Sequence, residues 1–180
     1  MPWSLNTQTG LIDGIEQCLS PNHDDRPDDT LISLLVIHNI SLPPRVFTGH
    51  AVYDFFMNQL NWTQDPYFNE IKGVKVSAHF FIRRDGHIIQ FVPCTKRAWH
   101  AGRSSFNGRE KCNDFSIGIE LEGADDIEYT DVQYQKLAKL IRLLEAHYPI
   151  TDRTGHRDIA PGRKTDPGPA FDWQKLTLLI

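Results

Sequence analysis

The 180-residue chain has little cysteine, three residues, and no CxxC pair. Cys18, Cys94 and Cys112 are widely separated, and an odd count cannot be fully paired within the chain. Reduced, structural thiols in a cytoplasmic protein are the expectation. Long apolar runs are also missing. The longest, Leu34 to Ile37 with its neighbours, is strand-sized, against the roughly 18 residues that a membrane span needs. The N-terminal MPWSLNTQTG has neither a basic run nor an apolar stretch, so no secretory signal is expected. Positive charge is not in excess: 19 Lys and Arg against 23 Asp and Glu leave a net charge of −4. That argues against a duplex nucleic-acid binder, which would show a strongly basic face. There is no internal repeat and no low-complexity tract, and nothing points to an obligate protein partner.

What is present is enough for one folded domain. Hydrophobic residues make up 40% and aromatics 11%, with 23% charged, which excludes a disordered chain. A domain of this length buries roughly 70% of its unfolded surface and needs no disulfide staples. Residues 1–31 are polar, with Pro21, Pro27 and many Asp and Asn, and read as a lead-in. We set residues 1–20 apart as an N-terminal arm and take 21–180 as the domain. Ser33 to His38 is an apolar, β-branched strand that Pro43-Pro44 stops. Val52, Phe55, Phe56 and Leu60 recur at helical spacing, predicting a helix near 49–60, and 61–73 reads as a loop.

Lys75 to Arg83 and His87 to Val92 flank Arg84-Asp85-Gly86, a strong hairpin signal. Phe115 to Glu122 alternates apolar and polar residues, placing Glu120 and Glu122 on one face of a strand. Thr130 caps a helix in which Tyr134, Leu137, Ile141, Leu144 and Tyr148 follow the 3.6 period, with Pro149 ending it. From Thr151 the chain reads as loops, with a short helix from Asp172. The sum is an α/β domain, a mixed central sheet flanked by helices.

Eight histidines stand out. His38 ends a buried strand, at the sheet rim where open α/β sheets place their sites. His156 follows Thr-Gly in a segment with few apolar neighbours, and Asp166 lies ten residues on. Two imidazoles and a carboxylate are the donor set of many catalytic zinc sites, which keep a fourth position for water. There is no HExxH, so these residues would have to meet through folding, and hydrogen-bonded structural histidines are the alternative. Glu120 and Glu122 are either a solvated sheet face or, if covered, include a general base of raised pKa. Lys164 is either a loop charge or an oxyanion partner.

These pieces together resemble a known family. Val36-Ile37-His38-Asn39-Ile40-Ser41, Val76-Ser77-Ala78-His79, Arg97-Ala98-Trp99-His100-Ala101-Gly102, Asn113-Asp114-Phe115 through Gly123 and Thr154-Gly155-His156 through Pro169 occur in order. The chain resembles, from about Pro21 to Trp173, the AmpD-type 1,6-anhydro-N-acetylmuramyl-L-alanine amidases of bacterial cell-wall recycling. The wider family includes T7-type lysozyme and the peptidoglycan recognition proteins. The resemblance implies a zinc site (Zn2+) on His38, His156 and Asp166 in a surface cleft at the sheet rim. It makes Glu120 the general base and puts Lys164 near the scissile carbonyl. It also implies substrate contacts from Asn39, Tyr67, Trp99 and the segment around Arg109 to Asn113. Lys75 and Lys111 stand where well-known members have arginine, which keeps the charge but loses the bidentate fork. His79 and His100 receive no ligand role.

The implied substrate is a small muropeptide, cleaved at the amide between the lactyl group of the muramyl sugar and L-alanine in the cytoplasm. Three other readings compete. A muropeptide-binding module would lack a ligand or the base. A lytic amidase would act on intact wall. A thiol hydrolase would be built on Cys112, which sits in a charged segment.

Overall fold

A computed structural model describes residues 3–180. In chain order the strands are β1 (Ser4–Asn6), β2 (Leu11–Asp13), β3 (Glu16–Gln17), β4 (His23–Asp25), β5 (Leu34–Ile40), β6 (Phe80–Ile82), β7 (Ile88–Gln90), β8 (Lys96–Ala98), β9 (Ser105–Phe106), β10 (Arg109–Glu110), β11 (Ser116–Glu122) and β12 (Asp152–Gly155). The helices are α1 (Ala51–Phe56), α2 (Asp131–Glu145), α3 (His156–Ile159) and α4 (Trp173–Leu179). Six strands form the central sheet in the order β12-β5-β11-β6-β7-β3. All neighbours are parallel except the β6–β7 hairpin. This is the mixed, helix-flanked sheet that the sequence predicts.

The two central strands explain the layering. Leu34-Leu35-Val36-Ile37 is apolar at every position because β5 is covered on both faces, as parallel strands require. Leu35, Ile37, Ile117, Ile119 and Leu121 face one side, with Leu137, Ala138, Ile141 and Leu144 of α2 and Leu176 of α4 in the same core. Burying each Leu or Ile there is worth roughly 1.5–3 kcal/mol. α2 starts where expected: Thr130 Oγ1 accepts from Gln133 N, and the Gln133 side chain returns the bond to Thr130 N. Gln133 Nε2 also donates to Ile82 O and Glu122 O, fastening the helix to the ends of β6 and β11.

The opposite sheet face carries two smaller cores. One holds Val52, Phe55 and Phe56 of α1 with Phe81, Ile89 and Phe91; the other holds Leu34, Val36, Cys112, Phe115 and Ile159.

Several boundaries differ from the sequence reading, each for a local reason. The described part of the stretch set apart as an N-terminal arm, residues 3–20, packs into the fold. Leu5 pairs with Ile12 across the β1–β2 hairpin and both are buried, while β3 forms the sheet edge beside β7. Strands of two or three residues are too short for a periodic signal. α1 ends at Phe56 rather than near 60 because Asn58 adopts a left-handed φ of 59°, yet Leu60 is buried as expected. Only Phe80–Ile82 of the predicted Lys75–Arg83 strand is a strand, because Ser77 bonds instead to Trp99 and to Asn22 O. The turn holds: Arg83 N donates to His87 O at 2.8 Å, and Gly86 takes φ +81°. The Thr154–Asp158 loop is instead the end of β12 and the start of α3, where Asp158 Oδ2 accepts from Gly155 N.

Candidate active site

Strand register assembles the site. Glu120 lies opposite His38, and Gly155 lies opposite Ile37, so His156, the next residue, begins α3 at the level of His38. The loop after α3 returns Asp166 to the same point. It is pinned by Arg157 N to Asp166 O at 2.9 Å and by Asn39 Nδ2 and Tyr129 Oη, which both donate to Pro167 O.

The three expected ligands converge. His38 Nδ1 is 3.0 Å from His156 Nδ1 and 3.0 Å from Asp166 Oδ2, and His156 Nδ1 is 3.1 Å from the same oxygen. They are the one group of His, Cys, Asp or Glu side chains with metal-binding geometry among the described residues. His156 Nε2 faces Ala101 O at 3.2 Å; a carbonyl only accepts, so the hydrogen sits on Nε2 and Nδ1 presents a lone pair. Lone pairs crowded around one point, two from imidazoles and one from a carboxylate, fit a divalent cation of borderline softness. Burial drives the His38 imidazole down to about 4 against the pull of Asp166, so it is neutral and available as a ligand near pH 7.

Glu120 sits beside this cluster and is only 9% exposed. Its buried Oε2 has no hydrogen-bond partner among the described residues. Burial, and then the charge of Asp166, push its pKa well above the ordinary glutamate value, while Lys164 pulls the other way. A solvated sheet face is thereby excluded for this position. Glu122 is buried too, but it is engaged structurally, accepting from Arg84 N at 2.9 Å.

His100, Glu120, His156, Lys164 and Asp166 open onto a cleft of about 390 Å³. One wall is apolar, from Leu42, Phe55, Phe56, Ile71, Val74 and Val76; Ser41, Arg45 and Asp125 add polar groups.

The expected substrate contacts divide. Tyr67, half-buried on a 3-10 turn, lines the cleft, and burial raises its hydroxyl pKa. Asn39 lines it as well, with its amide hydrogens engaged by Asp125 and Pro167 O. Lys75 is exposed between the lining residues Val74 and Val76. Trp99, Arg109 and Lys111 are not among its walls. Trp99 is bonded through its backbone to Ser77, and Arg109 stacks its guanidinium 3.9 Å over the Phe115 ring. Lys111 borders a separate depression with Arg103 and Arg163. Asn113, in the same segment, has its Oδ1 accepting from His100 N and Ala101 N. Cys112 is fully buried and its thiol pKa is raised by burial, which removes the thiol-hydrolase reading.

Two imidazoles, a carboxylate, a buried carboxyl of raised pKa and a lysine gathered at one cleft are the groups that a metal-assisted hydrolase centre needs. The chain belongs to the N-acetylmuramoyl-L-alanine amidase family, whose profile matches residues 27–169. It is 54% identical over 175 residues to the 1,6-anhydro-N-acetylmuramyl-L-alanine amidase AmpD of Escherichia coli K12, covering 96% of both chains. A crystal structure of a selenomethionine AmpD derivative superimposes with a TM-score of 0.94 at 53% identity, covering 98% of each chain. The E. coli amidase AmiD, in complex with anhydro-N-acetylmuramic acid-L-Ala-D-gamma-Glu-L-Lys, gives a TM-score of 0.60 at 31% identity, over 86% of this chain and 60% of that one.

Proposed function

We propose that the protein is a zinc-dependent amidase that hydrolyses the bond between the lactyl group of 1,6-anhydro-N-acetylmuramic acid and L-alanine in soluble muropeptides, in cytoplasmic cell-wall recycling. The convergence of His38 Nδ1, His156 Nδ1 and Asp166 Oδ2 beside the buried, unpartnered carboxyl of Glu120 carries this reading. The likeness to the AmpD amidases, with near-complete coverage of both chains, supports the substrate. Three free cysteines, none paired, support a reducing compartment. No helix among the described residues is long and apolar enough to cross a membrane.

His38, His156 and Asp166 would hold the ion. Zinc held there would supply Lewis-acid chemistry, bringing the pKa of a water from about 15.7 to about 7 and polarising a carbonyl. Glu120 takes the proton of the attacking water, which its raised pKa suits, and returns it to the leaving alanine nitrogen. The Lys164 ammonium, exposed at the cleft, faces the oxyanion that develops on the scissile carbonyl. Tyr67 and Asn39 orient the substrate inside the cleft. Lys75 at its rim, with Arg109 and Lys111 further out, meets peptide carboxylates, and Trp99 supports the wall through Ser77.

The test is product identification by mass spectrometry after incubation with soluble anhydro-muropeptides and with intact sacculi. Release of anhydro-muramyl sugar and free peptide from the soluble substrate, abolished by a chelator and restored by zinc, is expected. Cleavage confined to intact sacculi, or turnover indifferent to the chelator, would overturn the proposal.

A further inference from the structure

His38 is gripped at both ring nitrogens, and the grip behind it has a direction. Its Nε2 lies 2.9 Å from His100 Nδ1, His100 Nε2 lies 3.1 Å from Ser116 Oγ, and Ser116 Oγ lies 2.6 Å from Cys112 O. The carbonyl of Cys112 can only accept, so the single hydroxyl hydrogen of Ser116 is committed to it. Ser116 Oγ must then accept from His100 Nε2–H. His100 is buried, and none of its hydrogen-bond partners among the described residues is a carboxylate, so it carries one ring hydrogen and leaves Nδ1 bare. A bare Nδ1 accepts from His38 Nε2–H. The series ends with His38 Nδ1 as a lone pair aimed at His156 and Asp166.

The seat for His100 is specific. A Cβ on Gly118 would stand 2.4 Å from His100 Cγ, so the ring can lie against β11 only where that strand has glycine. Asn113 Oδ1 accepts from the backbone N–H of both His100 (3.2 Å) and Ala101 (2.8 Å). One side chain therefore places the ring behind His38 and the Ala101 carbonyl behind His156.

We propose that His100 and Ser116 are positioning residues, seated by Gly118 and Asn113, that lock His38 in its Nε2–H tautomer and thereby present Nδ1 as a metal ligand. The proposal rests on the metal-centre reading above. Partners of this kind, in contact with a ligand rather than with the ion, typically contribute 10–100-fold to metal affinity.

Two measurements test it. Two-bond proton–nitrogen NMR spectra of 15N-labelled, metal-free protein read the tautomer of each imidazole. Competition with a chromophoric chelator reads zinc affinity. In the wild type, His38 is expected to carry its hydrogen on Nε2. Ser116→Ala frees His100 to reverse, so a share of the Nδ1–H form of His38 should appear and zinc affinity should fall about 10–100-fold. Ser116→Thr, which keeps the hydroxyl, should restore both. His100→Leu should lose affinity, whereas His100→Asn, with an acceptor where Nδ1 stood, should retain more of it.

A wild-type His38 found with its hydrogen on Nδ1 overturns the proposal. So does a Ser116→Ala protein with native far-UV circular dichroism and unchanged tautomer and affinity. If His100→Leu does not fold, the Ser116 pair decides. Wild-type protein that binds no zinc would sink the metal-centre reading, while the metal-free spectrum would still decide the relay.

Discussion

Glu120→Gln separates what this carboxyl does in catalysis from what it costs the fold. Burial first, and the charge of Asp166 second, raise its pKa in the folded state. Below the ordinary glutamate value of about 4.3 the carboxyl is neutral in both folded and unfolded chains, and its burial carries no ionisation penalty. As pH rises past that value the unfolded chain loses the proton first and is favoured. Folding stability therefore declines until pH passes the raised native pKa, by about 1.4 kcal/mol for each unit separating the two. Glutamine has nearly the same shape and no proton to release. In chelator-treated protein, the variant should match the wild type near pH 4.5 and exceed it at pH 8. The expected gain in Tm is about 2–4 °C per kcal/mol for a domain of this size.

Activity should move the opposite way, with kcat falling about 10²–10⁴-fold for the missing proton carrier. Zinc content should be unchanged, because the carboxyl is not one of the three converging donors. The assays are thermal unfolding from pH 4.5 to 8, elemental analysis and product release. A stability difference that does not vary with pH refutes the buried-carboxyl argument. A kcat within about threefold of wild type refutes the role of base.

Lys164→Ala should fold and bind zinc but turn over about 10²–10³-fold more slowly, as for loss of one oxyanion donor; near-normal turnover removes Lys164 from the mechanism. Asp166→Ala should retain no stoichiometric zinc, which full occupancy by elemental analysis would contradict. Arg26→Leu should destabilise the fold by about 3 kcal/mol or more, read from urea unfolding. The half-buried Arg26 guanidinium donates to the carbonyls of Cys94, Asn113, Asp114 and Ser116, and the substitution removes all of these bonds. An unchanged urea midpoint would mean that water reaches those carbonyls.

The parts of the fold legible in the sequence are those whose signal is local. The apolar run into His38, the alternation ending in Glu120 and Glu122, the Asp85-Gly86 turn and the Thr130 cap each state their structure within a few residues. β12 and α3 are illegible for the converse reason: Asp152–Gly155 pairs only on its β5 side and carries no apolar alternation, yet it delivers His156. The convergence of His38, His156 and Asp166 is legible only through family resemblance, since residues 118 and 128 positions apart announce no contact. His100 reads in the sequence as a structural histidine. Its place behind His38 depends on a missing side chain at Gly118, and one sequence cannot mark that absence as a seat.

Because β12, β5 and β11 are neighbours, His38 and Glu120 share one rung of the sheet and His156 follows directly on the strand beside them. The backbone ladder, at roughly 4.8 Å per strand, therefore gauges the spacing of His38 and Glu120 and carries His156 to the same level. The apolar cleft wall comes from elsewhere, the stretch 42–76 that joins β5 to β6. The apolar cleft wall and the converging side chains thus lie in separate stretches of chain. Under the proposed function, changes at the cleft-facing residues of 42–76 are expected to alter which sugar or peptide fits while His38 and Glu120 keep their spacing. A slip of one residue in β5 has no such latitude: it turns His38 to the α2 side and dismantles the centre in a single step.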